Sequence, residues 1–548
     1  MSTLVRAIAV VLLACSAWAQ EQPIVHSQSN LVLVPVQVRK HNQHVAGIDK
    51  DKFTILQDGK PQKVAVFEEV RTTTERLTRR NVGPQEFSNE YLGDPATARF
   101  TVIAIDRINT TTVDMQRLRI GLKKFLTEVA EAGEPIRLIA INPNSIEVIQ
   151  DFTTDPKLLA MALQRNKTGG GPPTETVNPR DEATREIQEA MLNETNPQYE
   201  RIDRLEESKD QEQEMLAFQQ RNLRLSSLEA LRTIAQSLAG LPGRKSLVWA
   251  SSGYPFAISV RAGIHSASQN FSQVSEAGDL DEATVHLLNS ANIAVYPVDA
   301  RGMVNTAFQV IDPSRKYSPT AGESEAARLN DEGNITTFEN LASSTGGTAC
   351  VGRPDLSGCF KDAIDDSRDY YILGFYADSG LKPGWHKLQV KVAADASVRS
   401  RTGFIFSKLD PEQTRKDDMR LQLATLLPDP GVPFFGQWDL HPGDKKNVVF
   451  DMKILPEAAL VSTDNARLNV DIAAVARNRD GATAGEFAQR IDRQMPATAV
   501  ETIRSEGIHY TNSMVLPAGV YLVRIVVRDN NTGRLGSATT VVKVEQQH

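Results

Sequence analysis

Three polar residues that could bind a ligand lie at the end of a long apolar segment or just after it. The run Phe100–Asp106 is apolar almost throughout and ends in an acid, and Asn109 and Thr110 come just after it. A run of this kind is typical of a strand that is buried on both faces of a parallel sheet. In open α/β sheets, ligands bind in the crevice at the carboxyl ends of the strands. We therefore expect Asp106, Asn109 and Thr110 to line such a crevice.

Other residues whose side chains could take part in catalysis do not combine into a recognisable catalytic motif. The run Ser251–Gly253 lacks the leading glycine of a nucleophile elbow, because Trp249 stands at that position. Gly240–Ser246 has the wrong glycine spacing for a phosphate loop and precedes a strand, whereas a phosphate loop leads into a helix. His41 and His44 have metal-like spacing but no third ligand near them. The sequence thus predicts that the chain is not an enzyme.

The crevice requires strands that alternate with helices, and the sequence predicts both. After Asp106, apolar residues recur at helical spacing, at Met115, Leu118, Leu122, Phe125, Leu126 and Val129. Further apolar runs predict strands at Ile136–Asn142, Ser145–Phe152, Lys245–Ala250, Ile293–Asp299 and Thr348–Val351. Strand–helix alternation indicates a doubly wound, mostly parallel α/β sheet, with one antiparallel edge from the hairpin at Asn142–Ser145.

Several short motifs occur in an order that resembles a known family. They are Leu31–Val38, Phe53–Gly59, Phe100–Asp106, Leu228–Leu231, Pro242–Leu247, Thr345–Gly347 and Tyr370–Phe375. This order is similar to that of the VWFA-related family described from Acidobacteria, whose members carry a von Willebrand factor type A-like domain. The resemblance implies a protein-binding domain with its recognition surface at the strand ends.

The resemblance also implies a metal site, of which this chain keeps only part. A type A domain draws ligands from an Asp-x-Ser-x-Ser loop, a Thr before a later helix and an Asp after the fourth strand. Here Asp106 and Thr110 fit the first loop, Ile108 replaces its first Ser, and Ser227 stands for the Thr. Hard cations need several oxygen ligands. The sequence therefore predicts a degenerate metal site at Asp106, Thr110 and Ser227, with no cofactor or only weakly bound Mg²⁺ or Ca²⁺.

The third loop of the site lacks its acid, because Ser251 and Ser252 follow Ala250 where the last Asp is expected. We assign Asn109, Ser251 and Ser252 to loops that bind a partner. A working divalent site remains the alternative. In a purely structural interpretation, Asp106 caps the helix that starts near Thr111 and accepts hydrogen bonds from loop amides.

The predicted sheet interrupts a β-rich region in the sequence. Alternating residues predict strands within 28–75 and again within 370–408, and neither set is large enough to form a sandwich alone. We expect both sets to form one β-sandwich into which the α/β domain, residues 96–369, is inserted. The polar segment Arg71–Asp94 would be the first connector, between the N-terminal strands and the inserted domain. Within the insertion, residues 180–224 form a predicted helical excursion that is either solvated or a partner-binding arm.

The C-terminal part of the sequence predicts a second β domain. A linker helix is expected within 409–430, because Asp410–Gln413 supplies a cap residue, a first-turn proline and a capping-box glutamine. Short alternating strands in 431–548 predict an immunoglobulin-like β-sandwich. The fold class is therefore multidomain, with two β-sandwiches and one doubly wound α/β domain.

The N-terminus and the cysteines predict export. Met1–Ala19 reads as a signal peptide, and Cys15 within a lipobox-like sequence leaves a lipid anchor as the alternative. Cys350 and Cys359 are the remaining cysteines and are expected to form a disulfide in an oxidising compartment. No later segment is long and apolar enough to span a membrane. The net charge of −7 argues against nucleic-acid binding.

Together these features predict an exported bacterial binding protein, periplasmic or extracellular, that recognises another protein or an envelope component. A metal-dependent adhesion protein is one alternative. A hydrolase that uses the hydroxyl groups near Asp106 and Ser251 is a second, although no general base is paired with them in the sequence. A structural envelope component is a third.

Overall fold

A computed structural model of the chain describes most of the two β-rich regions and of the central domain. The predicted signal peptide, nearly all of the excursion 180–224 and the segment Ser259–Leu280 lie outside the described residues. The described residues are 31–41, 43–71, 78–92, 100–130, 135–143, 145–166, 222–223, 225–239, 241, 243–253, 283–302, 335–366, 368–378, 380–406, 411–425, 427–441, 447–462 and 466–545.

The elements before the central sheet are all strands, apart from a 3₁₀ turn at Lys50–Lys52. They are β1 (Leu31–Lys40), β2 (Gln43–His44), β3 (Phe53–Gln57), β4 (Lys60–Gln62), β5 (Val66–Arg71), β6 (Thr78–Arg79), β7 (Glu86–Ser88) and β8 (Tyr91–Leu92).

The central region alternates strands and helices. Its elements are β9 (Phe100–Asp106), α1 (Thr112–Lys124), a π-helical turn (Phe125–Val129), β10 (Ile136–Asn142), β11 (Ser145–Thr153), α2 (Pro156–Arg165), β12 (Lys245–Ser251), β13 (Ile293–Asp299) and α3 (Leu356–Asp366). Residues 225–239, 283–290 and 335–345 are also helical.

The remaining elements are mostly strands again. They are β14 (Asp369–Tyr376), β15 (Gly384–Val392), β16 (Ser397–Ser400), β17 (Gly403–Phe406), α4 (Pro411–Ala424), β18 (Phe434–Leu440), β19 (Asn447–Ile454), a 3₁₀ turn (Pro456–Ala458), β20 (Arg467–Arg477), β21 (Thr483–Gln494), α5 (Ala497–Glu506), β22 (Ile508–Val515), β23 (Gly519–Asp529) and β24 (Leu535–Val544).

The first and last strands around the central region pair with one another. One sheet has the order β16-β1-β14-β5, and a second has the order β17-β15-β3-β4. Leu31 lies opposite Tyr376 in the antiparallel pair of β1 and β14. The inward side chains of both sheets, including Val34, Phe53 and Phe375, share one buried core. The sheet pairing therefore joins residues 31–71 to residues 369–406, which lie far apart in the sequence.

The central sheet has the order β11-β10-β9-β12-β13. Four of its strands are parallel, and β11 pairs antiparallel with β10 through the expected hairpin. All residues of β9, β12 and β13 are buried, because helices cover both faces. Alternate residues of β9 therefore serve two cores: Val102 packs with Leu231 on one face and Ile103 packs with Leu118 on the other. The run Thr348–Val351 makes only a single bridge, between Cys350 and Val298.

The C-terminal region packs a sheet of order β22-β19-β18-β7 on a sheet of order β21-β20-β23-β24. Strand β7 comes from the segment Arg71–Asp94, which the sequence predicted to be only a polar connector. That expectation is wrong for Glu86–Ser88, which pair with β18. Phe87 is 1% exposed, and a Cβ atom on Gly436 would lie 2.7 Å from its ring. The Phe87 ring thus fills a gap above a glycine in the C-terminal core.

Two coarser expectations are confirmed. The described chain is β-rich, with several sheets packed as sandwiches. Cys350 and Cys359 form a disulfide, with their Cα atoms 5.8 Å apart. Among the described helices, none has the length and apolar character that crossing a membrane requires.

Strand β7 should contribute measurably to the stability of the C-terminal core. Phe87→Ala removes a fully buried ring and is expected to cost about 3–5 kcal/mol of unfolding free energy, the usual range for such truncations. Urea unfolding followed by Trp438 fluorescence measures this, since Trp438 lies in the same core. Val82→Ala, which changes a side chain 40% exposed in the same segment, is the control. A cost below about 1 kcal/mol for Phe87→Ala would contradict the assignment.

Candidate functional site

The candidate site is the crevice at the carboxyl ends of β9 and β12. In the order β11-β10-β9-β12-β13, chain connections run outward in opposite directions from β9, so the topological switch point lies beside this strand. Asp106 is the last residue of β9, and Ser251 is the last residue of β12. The sheet therefore brings together residues that are 145 positions apart.

Asp106 is fully buried and accepts hydrogen bonds on both carboxylate oxygens. Its Oδ1 accepts the backbone N–H groups of Ile108 and Asn109, at 2.9 and 3.1 Å. Its Oδ2 accepts from Asn109 Nδ2 at 2.8 Å and from Ser251 Oγ at 2.9 Å. Burial raises the pKa of Asp106, and these four donated bonds oppose that rise because they favour the carboxylate.

Asn109 connects the first loop to the helical residues 225–239. Its Nδ2 donates to Asp106 Oδ2 and also to Ser227 Oγ, at 2.9 Å. Ser227 was expected just before a helix, but it lies within helical residues, and its hydroxyl donates to Leu223 O at 3.0 Å. Because the Ser227 proton is used there, its oxygen is left to accept from Asn109.

The remaining predicted residues lie in the same crevice but offer little exposed surface. Thr110 is 3% exposed, and its hydroxyl oxygen has no hydrogen-bond partner in the structure. Ser251 is fully buried and its Oγ also lies 2.6 Å from Gly253 O. Ser252 is 8% exposed and donates to Asp114 Oδ2 at 2.9 Å. The hydroxyl groups assigned to partner binding at Ser251 and Ser252 are thus engaged within the protein.

The expectation that Asp106 caps the following helix needs correction. The N-cap of α1 is Thr111, whose Oγ1 accepts from the backbone N–H of Asp114 at 3.2 Å. The other half of that interpretation is confirmed, because Asp106 accepts from the two loop amides and closes the tight turn after β9. The difference arises because the loop is long enough to place Thr111, with its own short oxygen-bearing side chain, at the first helical turn.

Sequence reasoning missed two acids and two basic residues at this edge of the sheet. Asp299, the last residue of β13, is 1% exposed and binds Arg301 through both oxygens, at 2.9 and 2.8 Å. Burial raises the pKa of Asp299, and the Arg301 guanidinium opposes this. Asp114 accepts from Arg117 at 2.9 Å. Asp299 carries the signal that revealed Asp106, namely an acid at the end of an apolar run.

These residues do not fit the divalent cation that the type A resemblance implies. Both oxygens of Asp106 already accept two donors each, and Asp299 and Asp114 are paired with arginines. The described residues contain no group of three or more His, Cys, Asp or Glu side chains that could hold a metal. Mg²⁺ requires near-octahedral oxygen ligation and loses water reluctantly. Both carboxylate oxygens of Asp106 are thus engaged by donors of the protein itself.

The opposite, amino edge of the sheet is where the β domains attach. Arg244, immediately before β12, is 4% exposed. Its backbone N–H donates to Tyr370 Oη at 3.0 Å, and its guanidinium donates to Gly346 O at 2.7 Å and to Tyr296 Oη at 3.3 Å. Tyr370 belongs to β14 of the N-terminal sandwich. Three motifs that carry the family resemblance, around Arg244, Gly346 and Tyr370, thus meet at a domain junction.

A second buried contact at this edge faces the C-terminal domain. Lys245 donates to Leu241 O at 2.7 Å, and burial lowers its pKa to about 7. Asp429 is fully buried near Lys245, Arg137 and Arg524, and burial raises its pKa to about 8. These residues link the sheet to the C-terminal domain, so both β domains approach the central sheet away from the crevice.

Comparisons with known proteins do not add to this description. No protein-family model and no curated protein matches the chain. A structure of the chicken interferon gamma receptor alpha chain has 11% identity and a TM-score of 0.14, covering 30% of this chain and 66% of that one. A Bacteroides uniformis beta-glucuronidase has 9% identity and a TM-score of 0.14, covering 32% and 19%. Likenesses this low bear on neither fold nor function.

The loop after β9 should depend strongly on Asp106. Asp106→Ala leaves two buried backbone N–H groups without an acceptor, so it is expected to cost about 3 kcal/mol or more, with or without EDTA. Urea unfolding at pH 7 measures this. Ser252→Ala, which removes one hydroxyl contact at the same edge, should cost only about 1 kcal/mol. Equal costs for both variants would show that Asp106 does not hold the loop.

Proposed function

We propose that the chain is an exported binding protein that recognises another protein or an envelope component. Recognition takes place at the carboxyl edge of the central sheet, which acts as a von Willebrand factor type A-like domain with a degenerate metal site. The observation that carries this proposal is the position of the crevice. It lies at the switch point of the sheet, and the two β domains attach at the opposite edge.

The chemistry of the crevice supports binding more than catalysis. Ser251 is buried, and its hydroxyl group contacts Asp106 Oδ2 and Gly253 O, with no histidine among its described partners. A nucleophilic serine requires a general base within hydrogen-bonding distance and an open face for the substrate. Asp106 lies within hydrogen-bonding distance of Ser251, but its carboxylate also accepts from two loop amides and from Asn109, and these bonds weaken it as a base because they favour its charged form.

The accessible rim of the crevice suits a flat macromolecular partner. Val113, in the first turn of α1, is 62% exposed beside the contact between Ser252 and Asp114. Arg117 follows one turn later, with 45% of its side chain exposed. Arginine is enriched at protein-binding surfaces, and the exposed Val113 side chain adds apolar area near it. A small ligand would instead need a deep pocket, whereas Ser251 and Ser252 are buried and hydrogen-bonded within the protein.

The partner can be identified by capture from an envelope extract of the producing bacterium, using the mature chain as bait. Val113→Glu adds a charge at the rim, where an acid is tolerated in a first helical turn. Ile120→Glu is the matched control, because Ile120 is 71% exposed on the same face of α1 but about 10 Å further along the helix. We expect Val113→Glu to lower recovery of the partner about tenfold, and Ile120→Glu to leave it unchanged.

The outcomes separate the candidate functions. Recovery that persists in EDTA and is lost only in Val113→Glu supports recognition through the crevice. Recovery that EDTA abolishes indicates the metal-dependent adhesion alternative. Equal recovery by both variants, or no specific partner with either, contradicts the proposal.

A further inference from the structure

The side-chain amide of Asn109 lies between the two residues that a type A metal ion would bridge. One nitrogen donates to Asp106 Oδ2 at 2.8 Å and to Ser227 Oγ at 2.9 Å. Asp106 ends β9, whereas Ser227 lies in the helical residues 225–239 and is 118 residues from Asn109. A single NH₂ group therefore joins the first loop to the helical residues 225–239.

The orientation of this amide follows from its partners. Asp106 offers only acceptors on Oδ2, because a carboxylate has no proton to donate. Ser227 Oγ donates its proton to Leu223 O, so it too can only accept from Asn109. Both neighbours thus require the NH₂ group of Asn109 and exclude its carbonyl oxygen. If the amide were rotated by 180°, its carbonyl oxygen would lie at hydrogen-bonding distance from Asp106 Oδ2 and Ser227 Oγ. Neither of those oxygens has a proton to donate to it.

We infer that Asn109 is a built-in substitute for the divalent cation and that this one residue makes the crevice independent of metal. The two N–H groups provide the positive ends of bond dipoles. They hold Asp106 and Ser227 together without the cost of dehydrating an ion. The inference deepens the proposed function, but its test needs no partner. Failure of the capture experiment and failure of this inference can therefore be told apart.

A single substitution should convert the crevice into a metal site. Asn109→Asp replaces the NH₂ group, which carries both N–H donors, with a single oxygen and places a second carboxylate beside Asp106. Without a cation, the two acids would repel each other. With one, Asp106, the new carboxylate and Ser227 Oγ become ligands, and the buried hydroxyl of Thr110, which has no hydrogen-bond partner in the structure, is available as a fourth. Ca²⁺ fits best, because it accepts irregular oxygen ligation.

The experiment compares thermal unfolding of the mature chain in EDTA and in 1 mM Ca²⁺, Mg²⁺ or Mn²⁺. The wild-type melting temperature should not respond to any of these ions. Asn109→Asp should melt lower than wild type in EDTA and rise by about 5 °C or more in Ca²⁺, the shift expected for an affinity of about 10 μM. Calorimetric titration with Ca²⁺ should give a matching dissociation constant for this variant alone.

Two matched variants make the result specific. Asn142→Asp makes the same chemical change at the end of the adjacent β10, where the Asn142 amide oxygen accepts from Arg107 at 3.2 Å, and it should gain no response to cations. Asn109→Ala removes both donors without adding a ligand, so it should be destabilised equally with and without Ca²⁺.

Three results would overturn the inference. One is a micromolar cation affinity in the wild-type chain, which would mean that the amide does not replace the ion. Another is an Asn109→Asp chain that folds but does not respond to cations. The third is an Asn109→Asp chain that stays unfolded in Ca²⁺ as well as in EDTA, because the inference requires the ion to restore it.

Discussion

Buried Arg244, through its hydrogen bonds, joins the N-terminal sandwich to the amino edge of the central sheet. It sits where β12 begins and donates to Gly346 O and Tyr296 Oη, while the backbone N–H of the same residue donates to Tyr370 Oη in the N-terminal sandwich. A buried backbone N–H costs free energy unless it has an acceptor. For Arg244 that acceptor belongs to the N-terminal sandwich, which closes over the amino edge and leaves the carboxyl edge with its crevice on the other side of the sheet.

The short motifs that resemble the VWFA-related family have clear structural roles. Thr345 Oγ1 accepts from Val295 N at 3.0 Å, and a Cβ atom at Gly347 would lie 1.9 Å from Val295 O, so only glycine fits there. Asp58 takes a positive φ of 49° in the β3–β4 turn and accepts from Lys387 N at 2.9 Å. These residues position domains and turns. Of the crevice residues, Asp106 belongs to one of these motifs, whereas Asn109, Ser227 and Ser251 lie outside them.

The sequence predicted those features that depend on local patterns. Alternating valines marked β1, and the uninterrupted apolar run marked β9 and placed Asp106 at its end. What it missed depends on distant partners: Phe87 lies in a mostly polar segment, and its burial requires the gap above Gly436. The role of Asn109 depends on Ser227, which only the folded chain brings within reach. Asp299 could have been found, since it ends an apolar run as Asp106 does.

We infer that the Asn109 amide holds the crevice together and that no metal ion is needed. A crystal structure of residues 20–548 grown with Mn²⁺, with anomalous data collected near the manganese edge, would show whether an ion binds there. We expect no anomalous peak beside Asp106, with the Asn109 amide nitrogen within hydrogen-bonding distance of Asp106 and Ser227. A manganese peak ligated by Asp106, with the Asn109 side chain turned away, would contradict it.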